Sequence, residues 1–485
     1  MNPPNLLLIT VDQMRYDCLS ALGHPVVETP NLDAMVSQGV LFPHAYSAVP
    51  SCIPARAAIM TGMSQRSHGR VGYQDQVPWQ YPHMLAGELA QAGYHTQCVG
   101  KMHVYPARNL CGFHNVVLHD GYLHHNRDKH GTPYAEHFDQ VDDYMRWLRR
   151  EAGASADLTD LGLDCNASTV GRPWHLPEAL HPTNWCVTES IDFLRRRDPG
   201  KPFFLWSSFV RPHSPLDPPQ AYFDMYKDME MPEPPVGDWM DAAAALGGDA
   251  GPTTKLASLP KRRLDRARAA YYGLITHLDD QIGRLLQALG EYGVLNDTLV
   301  LFASDHGELM GDHHMYRKSL PYEGSARIPL ILWDPGGRFG LSAGSIPQAV
   351  VELRDVMPTL LEAAGAPVPD TVEGASLLGP ARGEAVGWRP YLHGEHEYGE
   401  RSHHFVTDGR EKYVWFSQSG EEQFFDLTAD PAELVDAARD PACADRVAIW
   451  RERLIRELEG REEGYVRHGR LVAGQAPQSC LSHIR

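Results

Sequence analysis

The sequence predicts an α/β fold built on a largely parallel sheet, followed by a smaller α+β unit. Short β-branched, apolar runs alternate with helical patterns over the first two-thirds of the chain, the rhythm of parallel strands joined by crossover helices. Several helical patterns close on glycine or on an Asp-Pro-Gly turn, which are common stop signals. From about residue 380 the pattern changes to a hairpin and one amphipathic helix. We therefore divide the chain into residues 1–379 and 380–485.

Taken in order, residues 6–11 form a short continuous apolar strand interrupted by Asp12. After the Thr29-Pro30 turn, 31–39 reads as a helix closed by glycine, and 81–93 as another. A strand follows at 94–99. Residues 183–197 are helical, stopped by Asp198-Pro199-Gly200, and 202–210 is a strong strand. In 264–292 the residues Ile275, Leu278, Ile282, Leu285, Leu286 and Leu289 recur at helical spacing, leading into a strand at 298–303. Residues 225–260 are rich in Pro, Gly and Ala without a period, as in a long loop or lid. Segments 412–416 and 422–427 flank Ser419-Gly420 as a hairpin, and 446–458 is an amphipathic helix. The sequence has no internal repeat.

A formal net charge of −18 argues against nucleic-acid or anionic-membrane partners. It also requires any site for an anion to carry its own local cations. Eight cysteines in 485 residues, with no CxxC pair, are neither a disulfide scaffold nor a structural zinc site. Asn166-Ala-Ser and Asn296-Asp-Thr match glycosylation acceptors but read as ordinary polar turns. No stretch approaches 18 consecutive apolar residues, and no signal-peptide core precedes the first strand. The expectation is a cytoplasmic protein with no membrane partner.

Polar residues fall at the ends of the expected strands. Asp12-Gln13 follow the first, Lys101 and His103 the strand at 94–99, His213 the strand at 202–210, and Asp305-His306 the strand at 298–303. In open α/β sheets ligands bind outside the carboxyl ends of the strands, so four distant segments deliver side chains to one rim. A lone strand-end aspartate is usually a cap or turn former; four segments together point to a site. Oxygens of Asp12, Asp305 and Gln13 suit Ca²⁺ or Mg²⁺, and the His306 imidazole widens the choice to Mn²⁺ or Zn²⁺.

The most specific signal is Cys52-Ile53-Pro54-Ala55-Arg56, with Gly62 ten positions after the cysteine. Composition alone predicts about 0.06 matches to C-x-P-x-R, and about 0.005 once the glycine is required. Pro54 fits the first turn of a helix running to Met60, which places residue 52 at a helix N-terminus with its anion-attracting N–H groups.

Residues 52–62 resemble the sulfatase signature, and the chain is identified as a member of the formylglycine sulfatase family within the alkaline-phosphatase-like superfamily. Residues 5–12, Thr29-Pro30-Asn31-Leu32-Asp33, Gly100-Lys101-Met102-His103, Arg211-Pro212-His213, Ser304-Asp305-His306-Gly307-Glu308, Arg317-Lys318, Lys412-Tyr413, Phe425-Asp426-Leu427 and Asp430-Pro431 resemble family blocks in family order. The resemblance covers nearly the whole chain. It implies a large mixed sheet between helix layers and a small C-terminal sheet with a helix. It further implies that a formylglycine-generating enzyme oxidises Cys52, and that Asp12, Gln13, residue 52, Asp305 and His306 hold one divalent metal. Arg56 would steady the hydrated aldehyde, and Lys101 and Lys318 would grip a small anionic ester. His103 would act as base and His213 as leaving-group acid.

The implied activity is sulfate monoester hydrolysis. Many sulfatases carry aspartate where Gln13 stands and asparagine where His306 stands. The combination here looks more like phosphonate monoester hydrolases and choline-sulfatase-like branches, some of which use manganese. The metal expectation is therefore Ca²⁺ or Mn²⁺, and the alternative activity is phosphonate monoester or phosphodiester hydrolysis. A non-catalytic binding protein is disfavoured, because every proposed position holds a residue able to do its task. Pocket walls are expected from 110–185 and 225–260. His68, Tyr73, His114, His124 and His125 are candidate liners whose ordinary reading is structural or solvent-facing. The polar tail after Tyr465 is compatible with a homo-oligomer.

Overall fold

The computed structural model describes residues 3–121, 141–157 and 163–485. Strand β1 (Asn5–Asp12) lies at the centre of a seven-stranded sheet. The others are β2 (Val40–Leu41), β4 (His95–Gly100), β5 (Asn115–Leu118), β6 (Phe203–Pro212), β7 (Thr298–Ser304) and β8 (Leu330–Trp333), in the order β2-β8-β7-β1-β6-β4-β5. Strands β7, β1, β6, β4 and β5 run parallel, whereas β8 is antiparallel to both β7 and β2. The sheet is thus mixed and mostly parallel. Strand β3 (His44–Tyr46) pairs separately with β9 (Val350–Glu352).

Alternation along β1 builds two apolar layers. Leu7, Ile9 and Val11 face a core shared with helices α1 (Pro30–Gln38), α4 (Pro182–Arg196) and α5 (Lys261–Glu291). Leu6 and Leu8 face the opposite core, with α2 (Cys52–Thr61), α3 (Leu85–Gln91) and α6 (Val356–Ala364). Both faces are therefore covered by helices, as a parallel sheet requires.

A second sheet of four antiparallel strands comprises β10 (Leu392–His396), β11 (His403–Thr407), β12 (Glu411–Phe416) and β13 (Glu422–Asp426). On one face Phe405, Val414 and Phe425 pack with Tyr46, Leu309 and Tyr322 of the main body. On the other, Val406, Tyr413, Trp415 and Phe424 meet Val447, Trp450, Leu454 and Leu458 of α7 (Ala444–Leu458).

Two expectations need correcting. The helix expected over 81–93 is confined to Leu85–Gln91, because Pro82 precedes it and the Tyr81 hydroxyl is engaged with Arg70 and the His68 carbonyl. The loop expected over 225–260 begins with the end of a helix, Gln220–Tyr226, and contains a short one, Ala242–Leu246, capped by Asp241. No helix among the described residues is long and apolar enough to cross a membrane.

Candidate active site

Four parallel strands and one helix end bring the site together. Asp12 is the last residue of β1, Lys101 follows β4, His213 follows β6, Asp305 follows β7, and Cys52 opens α2. Two glycines make these approaches feasible. Gly100 has φ 98°, and a Cβ there would lie 1.9 Å from the Ser208 carbonyl oxygen. That close contact lets the Lys101 N–H donate to Ser208 O at 2.8 Å. Gly62, at φ 65°, closes α2 by donating to Ala58 O at 2.9 Å; the left-handed backbone explains why glycine ends the cysteine motif.

Asp12, Cys52, Asp305 and His306 are buried, and one ligand atom from each lies within 4.8 Å of the others. The Cys52 sulfur is 3.2 Å from His306 Nε2 and 3.6 Å from Asp12 Oδ1. His306 Nε2 is 3.4 Å from Asp12 and 3.6 Å from Asp305. His306 Nδ1–H donates to the Gly307 carbonyl at 3.0 Å, which leaves the Nε2 lone pair facing the cluster. Buried Asp305 Oδ2 accepts no hydrogen bond. Two carboxylates, an imidazole lone pair and a sulfur or oxygen at residue 52 fit a divalent cation. Gln13 joins differently. Its backbone N–H donates to Asp305 Oδ1 at 3.2 Å, while its Oε1 accepts from Lys318 at 2.7 Å.

Cations surround this cluster, supplying the local positive charge that the acidic chain lacks overall. Arg56 Nη1 donates to the Lys101 carbonyl at 2.5 Å and to Ser208 Oγ at 2.8 Å, and Nη2 lies 3.3 Å from Asp305. The Lys101 ammonium rests on Asp12, and Lys318 is 3.6 Å from the Cys52 sulfur. Burial would raise the Asp12 pKa, but Lys101, His213 and Lys318 hold it well below the ordinary carboxylate value. Burial and Asp12 push the Cys52 thiol up, yet Lys101, Lys318 and His306 outweigh them and lower its pKa. Burial opposes charge on His306, but Asp305 and Cys52 raise its pKa.

His213 Nδ1–H donates to the Ser214 carbonyl at 2.7 Å, so Nε2 is the acceptor for Lys318, also at 2.7 Å. Burial, then Lys318, push the His213 pKa well below its usual value. His103 is buried with both ring nitrogens unpartnered; Asp120 fixes it by accepting from its backbone N–H at 3.1 Å.

The sulfatase family model matches residues 4–366, and a model for the C-terminal region of N-sulphoglucosamine sulphohydrolase matches 311–460. The chain belongs to the sulfatase family. It is 56% identical to an arylsulfatase of Clostridium perfringens, covering 99% of this chain and all of that relative. It is 31% identical to the multifunctional alkaline phosphatase superfamily protein PehA of Trinickia caryophylli, over 94% of this chain and 95% of that one. Its fold resembles the phosphonate monoester hydrolase of Agrobacterium radiobacter, with TM-score 0.75, 27% identity and coverage of 93% and 95%.

The candidate site opens into a cavity of about 750 Å³ whose lining includes Cys52, His103, His213 and Lys318. Of the candidate liners, Tyr73 is on this wall, its ring edge-on to His103 at 5.9 Å. His68 instead accepts from the Arg70 backbone N–H at 3.2 Å, and His114 bonds Thr96 at 2.8 Å; both are structural. His124 and His125 lie outside the described residues. The two expected wall segments contribute Asn166 and Lys255-Leu256. Sequence reasoning missed the third wall, His396 to Arg401, which leaves the end of β10. It placed Glu308 in a family block without giving it a role; this buried carboxylate accepts from the Gln13 side chain and the Arg317 backbone N–H and so positions Lys318. Its place directly after Asp305-His306-Gly307 was the available signal.

Proposed function

We propose that this sulfatase hydrolyses sulfate monoesters, using residue 52, matured from cysteine to formylglycine by a formylglycine-generating enzyme, as nucleophile. One divalent cation, calcium or manganese, would be held by Asp12, Asp305, His306 and residue 52. Gln13 Oε1, which accepts from Lys318 at 2.7 Å, would have to give up that bond to serve as a fifth donor. The observation that carries this reading is the place of Cys52. It heads α2 amid two carboxylates, an imidazole and Lys318, and lines the cavity. The arylsulfatase relative supports aryl esters as substrates.

When bound, the cation would neutralise charge on the sulfuryl oxygens and favour an ionised nucleophile. Hydrated formylglycine carries two hydroxyls. One would be available to attack sulfur as the S–O bond to the alcohol breaks, and loss of the proton of the other would regenerate the aldehyde and release sulfate without a second attack at sulfur. Lys101 and Lys318 bind the sulfuryl oxygens, exchanging Asp12 and Gln13 for the substrate. Arg56 holds positive charge behind residue 52 while its Nη1 is fixed by Ser208 and the Lys101 carbonyl. His103, with both nitrogens free of partners, takes the proton of the second hydroxyl. The hydrogen bonds of His213 leave it neutral with the shared proton on Lys318; this pair delivers the proton to the departing oxygen.

The test is a panel of nitrophenyl sulfate, phosphate monoester, phosphate diester and phosphonate ester, run on protein whose Cys52 peptide is lighter than the unmodified mass. We expect the highest kcat/KM on sulfate and no turnover by Cys52→Ala. A higher kcat/KM on the phosphonate or diester would replace this reading with the alternative one. Full activity of Cys52→Ala would remove formylglycine from the mechanism.

A further inference from the structure

The cavity lining includes Lys255, Arg317 and Arg401, none of which forms an ion pair among the described residues. Arg317 Nη2 donates to the neutral Asn166 Oδ1 at 2.6 Å, and the Lys255 ammonium sits 4.4 Å from the centre of the Tyr398 ring. Neither contact neutralises charge. The one carboxylate in this lining, Glu397, is turned to other groups. It accepts from the Gly399 N–H at 2.9 Å and from Ser479 Oγ at 2.8 Å. Three uncompensated cations lining one cavity of a chain with net charge −18 are therefore a local reversal of the protein's field.

A second observation points the same way. His396 is buried and lines the cavity. Its Nδ1–H donates to the Glu397 carbonyl, so Nε2 carries a lone pair, and that atom has no partner. A buried acceptor without a donor is costly, and a hydroxyl on the ligand would satisfy it. Tyr73 and Tyr398 add ring surface to the same lining.

We propose that the cavity selects sulfate esters whose leaving part carries a second anionic group, a carboxylate or another sulfate, bound by Lys255, Arg317 and Arg401, with a hydroxyl donating to His396. This rests on the sulfatase reading of the inner site and specifies its substrate class. It differs from that reading in being carried by the outer wall, which takes no part in bond breaking.

The test compares kcat/KM for phenyl sulfate, 3-carboxyphenyl sulfate and resorcinol disulfate, at low and high salt. The expected preference for either ester with a second anion over phenyl sulfate is about tenfold at low salt, shrinking as ionic strength rises. In Arg401→Gln and in Lys255→Gln the ratio of dianionic to monoanionic ester should fall toward one. A larger drop for one dianionic ester than for the other identifies which anion the wall takes. Turnover of phenyl sulfate with no preference for a second anion overturns this inference and leaves the sulfatase reading standing. Absence of turnover on all three overturns the sulfatase reading instead. Calorimetry with 3-hydroxybenzoate against phenol then decides the outer wall independently: equal binding of the two sinks it, and tighter 3-hydroxybenzoate binding lost in Arg401→Gln supports it.

Discussion

Two clusters of ligating side chains occur among the described residues, and they differ in what their lone pairs face. Asp12, Cys52, Asp305 and His306 gather at the carboxyl ends of parallel strands, while His393, Glu395 and His404 gather on β10 and β11. Each group brings its ligand atoms within 4.8 Å of one another. In the second, both Glu395 oxygens accept from Arg461, at 2.8 and 2.9 Å, and His393 Nδ1 meets Gln65 at 3.1 Å. Rings of Trp415 and Tyr465 pack on His404. In the first, Asp305 Oδ2 accepts no hydrogen bond, although Arg56 Nη2 lies 3.3 Å from it, and the cluster borders an open cavity through Cys52. Residue types alone therefore do not distinguish a site from a structural network; unsatisfied lone pairs beside open volume do.

The sharpest way to break this contrast is to remove one carboxylate from each cluster and count metal. Asp305→Ala should lose bound metal and most activity, at least about 10³-fold, because the remaining donors no longer balance a divalent ion. Glu395→Gln should keep the metal content of the unaltered protein. Elemental analysis showing full occupancy in Asp305→Ala, or a loss of metal in Glu395→Gln, would invert the assignment of the two clusters.

The second effect lies on the catalytic side alone. His213→Ala should cost about 10²–10⁴-fold in kcat/KM on alkyl or sugar sulfates and far less on nitrophenyl sulfate, since a stable phenolate needs no proton. The readout is the slope of log kcat/KM against leaving-group pKa. A uniform loss across that series would make His213 a structural or binding residue and leave Lys318 as the proton donor.

Much of the first cluster was legible because its residues lie at strand ends or in a tightly spaced motif. Asp12, Lys101, His213 and Asp305 each follow a recognisable apolar run, and Cys52–Arg56 occupies one helical turn. The wall from His396 to Arg401 was not legible. It reaches the cavity from a different sheet, and nothing local marks which end of β10 faces the main body. The antiparallel strand β8 was equally hidden, since Leu330–Trp333 is only four residues long and buried throughout. Lys412 shows the converse. The resemblance singled it out with Tyr413, but it is buried, donating to the Pro321 carbonyl at 2.8 Å and pairing with Glu433 at 2.9 Å. It holds the small sheet to the main body.

A third prediction concerns the closed cluster. Glu395→Gln removes the charge that both guanidinium nitrogens of Arg461 engage, although Glu463 still pairs with Arg461 at 2.7 Å. Breaking a buried pair from one side costs about 3–5 kcal/mol, and the remaining partner should hold the loss to about 2–3 kcal/mol. Equilibrium denaturation measures it. No loss of stability would mean that Arg461 is satisfied by Glu463 alone.

The smallest expected effect separates the two regions by pH. His403 of β11 is buried, bonds the Arg401 carbonyl through Nδ1 at 3.0 Å, and has no partner at Nε2. Burial pushes its pKa down to about 3, against about 6.5 for an ordinary imidazole. The sign follows from linkage. As pH falls below about 6.5 the unfolded chain takes up this proton and the folded one does not, so stability falls with acidification until the folded pKa is reached. Glu395 adds to this only lower down. Arg461 outweighs burial and depresses its pKa, so its contribution is complete above the ordinary glutamate value and is lost below it. Between roughly pH 4 and 6 buried histidines steepen this fall, each by up to about 1.4 kcal/mol per pH unit, while Asp217 and Asp279, whose carboxyls burial raises to about 6, oppose it. His403→Phe should flatten stability against pH by about one proton in that window while leaving metal content alone. An unchanged slope would show that His403 is already protonated in the folded protein, in which case the small sheet would hold a charge that its surroundings, with no acceptor at Nε2, give it no means to stabilise.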